Sequence, residues 1–86
     1  MAIEFPNPSR SYDAKSRCVR FWGHDDASEV SFLIEEEALR NFDEATGGED
    51  GLLTSFDDNR SRILFAARKA YSRRGSGFYR LAASDF

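Results

Sequence analysis

Between Gly51 and Gly75 the chain repeats its apolar residues at helical spacing for longer than anywhere else, and that stretch sets the architecture the rest must satisfy. On a wheel of about 100° per residue with Phe56 as origin, Leu52, Leu53, Ile63, Ala67, Ala70 and Tyr71 fall within about 60°, the broad stripe that a helix lays on a core. A helix from Thr54 to Arg73 measures about 30 Å, long enough to cross a small sheet. Thr54 with Asp57 three residues on resembles a capping box at its start, and Gly75-Ser76-Gly77 supplies the positive φ that ends a helix. The expectation is one continuous rod lying on one sheet.

The sheet is written in shorter signals. Ser28 to Ile34 alternates, with Val30, Phe32 and Ile34 on one face, and reads as the clearest strand. Cys18 to Trp22 reads as its partner, with Val19 and Phe21 on one face and Gly23 to Ala27 as the loop between them. Pro6 and Pro8 cannot donate to a ladder, so only Ile3-Glu4-Phe5 is left as a short or edge strand, and Tyr12 to Ser16 reads as a turn. Glu35-Glu36-Glu37 suits a helix N-terminus, Ala38, Leu39 and Phe42 give that helix an apolar face, and Gly47-Gly48 halts it. Phe78 to Ala82 returns as a final strand. The whole is an α+β fold in a single domain: a small antiparallel sheet of three to four strands covered by one short and one long helix, in the order β-β-β-α-α-β.

Composition narrows the function. Eighty-six residues with twelve aromatics can fill one core, and no apolar run approaches the ~20 residues of a membrane-spanning helix. The N-terminus lacks the pattern of a secretory signal, so the expected setting is the cytoplasm, with no membrane partner. Cys18, the only cysteine, has no partner for an internal disulfide, and with His24 it is too little to hold structural zinc, so no metal or cofactor is expected. His24 beside Asp25 and Asp26 lacks a placed nucleophile, and the glycines at 47, 48 and 51 lack the spacing of a phosphate loop. Catalysis is therefore not the expected activity.

Charge is unevenly spread: net zero over residues 1–27, −9 over 28–58 and +6 over 59–86. Helix dipoles account for much of this, since acid collects at helix starts and base near a helix end. Within the long helix, Arg60 falls about 40° from Phe56, inside the apolar stripe, and an arginine drawn inward needs a carboxylate; Asp13 is the expected partner. Phe65 falls on the opposite, wet side, beside Arg62, Lys69 and Arg73, and forms the candidate contact surface. Basic and aromatic residues interleave from Arg68 to Arg80, which is chemistry that contacts phosphates and bases.

In order along the chain, Ile3-x-Phe5-Pro6, the Tyr12-Asp13 turn, Val19-Arg20-Phe21, the apolar strand before Glu37-Ala38-Leu39, Phe56-x-x-Asn59-Arg60-x-x-Ile63 and a closing aromatic strand resemble the domain of unknown function 1488 family of small bacterial proteins. The resemblance covers nearly the whole chain and places Asn59 and Arg60 inside the pattern. It implies no activity, cofactor or catalytic residue, because the family has none assigned. The expected function is noncatalytic binding, to a second copy or another protein; nucleic-acid association through the basic last third ranks behind it.

Overall fold

A computed structural model describes residues 3–6, 9–26, 28–43, 48–74 and 79–86. Strands β1 (Arg10–Asp13), β2 (Cys18–Asp25) and β3 (Ser28–Glu35) are followed by helices α1 (Glu36–Asp43), α2 (Gly48–Asp58) and α3 (Arg60–Arg74). Strand β4 (Tyr79–Leu81) and a 3-10 turn (Ala83–Asp85) close the chain. The fold is α+β, as expected. The sheet runs β1-β2-β3-β4, with β1, β2 and β3 antiparallel in sequence and β4 parallel to β3. It is thus mixed and not antiparallel throughout, because the three helices act as a crossover that returns the chain alongside β3 in the same direction.

Register decides which side chains meet the helices. Val19 faces Ile34 and Phe21 faces Phe32 across β2 and β3, while Phe32 and Ile34 face Tyr79 and Leu81 across β3 and β4. Strand alternation sends all six to one face, where they are buried against Leu39, Leu52, Phe56, Ile63 and Ala67 of the helices. Aromatic rings fill the middle: Phe21 lies 5.3 Å from Phe32 and 5.1 Å from Phe56, and Phe32 lies 5.1 Å from Tyr79, ring centre to ring centre. Among the described residues the other sheet face carries no helix. Cys18 and Leu33 are nevertheless buried on it; Leu33 is flanked in register by Arg20 and Arg80.

The expected rod is two helices. Asn59 separates α2 from α3, and its backbone N–H is shared between the carbonyls of Ser55 (3.1 Å) and Phe56 (3.2 Å). Its side-chain Nδ2 also donates to the Ser55 carbonyl at 2.9 Å, the local competition that makes asparagine a poor interior helix residue. The Ile63 N–H still reaches the Asn59 carbonyl at 3.0 Å, so the phase carries across the break and both Phe56 and Ile63 face the core. The helical run begins at Gly48, whose φ is +69°, so Thr54 lies within α2 and caps nothing at its start. Helix α1 is described to Asp43; Gly47 of the expected Gly47-Gly48 stop lies with residues 44–46 outside the described residues, and Gly48 opens α2.

At the sheet's first edge Glu4 exchanges both backbone hydrogen bonds with His24, at 2.9 and 2.7 Å, as an isolated bridge. The regular edge strand is β1, where a turn beginning at Tyr12 was expected; the turn follows Asp13 instead. Strand β2 runs on through the expected loop to Asp25, and Asp26 turns the hairpin with φ of 57°. Gly23 is where the bridging segment crosses closely: a Cβ there would stand 2.8 Å from the Phe5 ring and 3.0 Å from Ile3.

Candidate functional site

Two helix carboxylates are tied to β1. Strand alternation turns Arg10 and Tyr12 inward, toward the helices. Arg10 grips Asp57 of α2 with both guanidinium arms, at 2.9 and 2.7 Å. Arg60 joins the same carboxylate at 3.1 Å and lies 4.9 Å over the Phe56 ring. Burial pushes the Asp57 carboxyl up, but Arg10 and then Arg60 outweigh it and hold it below the usual range. The expected Arg60–Asp13 pair is thus not formed. Asp13 meets Arg20 diagonally across β1 and β2 at 3.5 Å, because both point to the helix-free face, whereas Arg60 finds its carboxylate three residues back.

The second carboxylate is Glu36, at the first residue of α1. It accepts from the Tyr12 hydroxyl at 2.9 Å, from Arg40 at 3.2 Å and from Arg17 at 3.3 Å. The Tyr12 hydrogen bond, then those of Arg40 and Arg17, hold its carboxyl low. These contacts explain the polar β1 edge and leave neither carboxylate free for chemistry.

His24 and Asp25 do not form an acid–base pair: consecutive strand residues face opposite ways, and on the helix side Asp25 accepts from the Tyr71 hydroxyl. That bond, with burial, pushes Tyr71 up to about 12. The Cys18 thiol is fully buried and donates to the Ser16 carbonyl at 3.3 Å; burial pushes it up. Among the described residues no cluster of His, Cys, Asp and Glu is grouped to hold a metal ion, and no helix is long and apolar enough to cross a membrane.

The expected contact surface is brought together on α3. Phe65 is 63% exposed, with the Lys69 ammonium 5.3 Å above its ring. Arg62 lies 4.7 Å over the Phe42 ring of α1, and Phe42 meets Phe86 edge-on at 5.0 Å. Phe86 is itself 41% exposed. A hollow of about 320 Å³ opens among Arg62, Phe65, Ala66, Lys69, Asp85 and Phe86. Arg73 continues α3 beyond Lys69, and its side chain lies outside the described residues. Alongside, a second hollow of about 310 Å³ lies between Ala66, Lys69 and Ala70 on α3 and the three residues of β4, with Ser84 and Asp85 at its end.

Phe42, Asp85 and Phe86 are the members the sequence reading lacked. Phe86 had no periodic neighbours to mark it. The local signal was the spacing Ala82-x-x-Asp85: the Asp85 side chain accepts from the Ala82 N–H at 2.7 Å and the Asp85 N–H returns to the Ala82 carbonyl at 2.9 Å, folding the tail back toward α3.

Comparison with known proteins adds a family and a fold. The family model described as Protein of unknown function (DUF1488) matches residues 3–81. A crystal structure of a protein of unknown function from the DUF1488 family of Shewanella loihica PV-4 superposes with a TM-score of 0.83 at 16% identity, covering 92% of this chain and 90% of that one. At that identity the likeness speaks for the fold alone. No curated protein matches the chain.

Proposed function

The chain belongs to the DUF1488 family of proteins of unknown function, and from that premise we propose that it is a noncatalytic binding module of the cytoplasm, engaging a second copy or another protein through the outer side of α3 and the C-terminal turn. The observation that carries the reading is Phe65, held out in water beside Phe86 and ringed by Arg62 and Lys69. An isolated exposed phenylalanine is ordinary; two around one hollow with cations at the rim form an anchor of the kind buried at the centre of interfaces.

The experiment is sedimentation velocity on the wild type and Phe65→Glu, alone and mixed with candidate partners. The reading predicts an assembly that Phe65→Glu returns to free chain while the melt is unchanged, since the side chain supports nothing inside. An assembly indifferent to Phe65→Glu would place the contact elsewhere.

A second reading, nucleic-acid association, draws on Arg62, Arg68 and Lys69 standing beside rings. Against it, Lys69 lies over a face of the Phe65 ring on which a base would stack, and the whole chain is acidic, with net charge −3. Retention on single-stranded DNA that falls steeply with salt would favour it.

A further inference from the structure

We infer that the groove between β4 and α3 takes up an extended, acidic segment of a partner protein, which adds to the open edge of β4 as a fifth strand. The inference deepens the binding reading above and rests on it. Strand β4 stands last in the sheet, paired with β3 on one side. On its other side no described residue bonds to its backbone, and the turn that follows satisfies its own groups through Ala82 and Asp85. An edge left this way is a row of main-chain donors and acceptors, about 10 Å long for three residues, that another extended chain can complete.

The space beside that edge is shaped for a chain. One wall is β4 and the other is α3, where Ala66 and Ala70 set the helix surface back and leave room for every second side chain of an incoming strand. The neighbouring hollow shares Ala66, Lys69 and Asp85 with the first, so the groove continues toward Phe65 and Phe86, where an apolar side chain can anchor.

Charge selects the occupant. Arg80 is engaged by Glu35 at 2.7 Å, and Asp85 is engaged by the Ala82 N–H. Arg62 and Lys69 have no carboxylate partner among the described residues, and they outnumber Asp85, whose bond to a neutral N–H leaves its charge in place, so the described side chains lining the two hollows sum to a positive charge. A segment alternating acidic residues with an aliphatic or aromatic one meets the edge, the alanine wall and the cations at once. A docked helix leaves the β4 edge unbonded, and a nucleic acid finds no use for it.

The test pans random nonapeptides displayed on phage against the intact chain, then follows amide exchange by NMR with the selected peptides. Enriched peptides are expected to be acidic with an apolar residue, and to slow exchange at the amides of Tyr79 to Leu81. N-methylation at alternate peptide positions, removing a ladder hydrogen bond, is expected to weaken binding roughly tenfold in one phase and little in the other. The double variant Arg62→Glu, Lys69→Glu is expected to weaken it by a similar factor. Absence of enrichment, enrichment of basic peptides, or protection of β4 by a second copy without peptide would overturn the inference. Peptides that tolerate every N-methyl group yet are lost on Phe65→Glu would also overturn it, while leaving the binding face itself standing.

Discussion

Glu36 and Asp57 each collect two arginines, and Glu36 a tyrosine as well, so their effect on stability has a definite sign with pH. Both carboxyls are held below their ordinary values of 4.5 and 3.8. The stability they contribute is present above those values and is lost as pH falls through the lower, folded ones. Thermal melts from about pH 6 to about pH 3 should show the wild type losing ground on Glu36→Gln until the two converge; parallel curves would contradict the pairing. Tyr71 works in the opposite direction. Raised from 10.0 to about 12, it stabilises fully below 10 and loses that contribution as pH rises toward 12. Absorbance of the tyrosinate ion should place its titration late in the wild type and bring it down toward 10 in Asp25→Asn. At Arg60 the carboxylate is partly exposed and shared with Arg10, so Arg60→Ala should lower stability by no more than about 1 kcal/mol.

Elements were legible where a periodic pattern coincided with burial. The alternation of Val30, Phe32 and Ile34 gave β3, and the stripe through Phe56 and Ile63 gave the right inward face of both α2 and α3. What escaped depends on partners distant in the chain. Strand β1 is held to the helices by pairing Arg10 with Asp57 and Tyr12 with Glu36, and no local pattern announces that. The break at Asn59 was invisible to a wheel because the phase survives it. Phe65, Arg62 and Lys69 were legible as a patch because they share a helix face, but Phe86 and Phe42 reach the same place only through tertiary folding. Two substitutions test the packing. Phe56→Ala should cost about 3–5 kcal/mol in denaturant unfolding, since its ring is fully buried against Phe21. Gly23→Ala forces a methyl group against Phe5 and Ile3 and should cost about 1–3 kcal/mol; an unchanged melt would mean the bridging segment is not held there.

Across the molecule, the sheet has one face under three helices and one without, and its last strand has a free edge among the described residues. The acidic middle of the chain and its basic last third meet through Asp57 and Arg60, a partly exposed pair, while Arg62 and Lys69 remain turned outward beside Phe65. That outward group, and not the engaged carboxylates, is the surface on which the proposed binding rests. The most direct measurement replaces Phe65 by a photo-crosslinking phenylalanine in the living cell, with the same replacement at Glu29 on the helix-free sheet face as its control. A discrete adduct with a polypeptide from position 65, absent from position 29, is the predicted result; equal adducts from both positions, or none from position 65, would contradict the account.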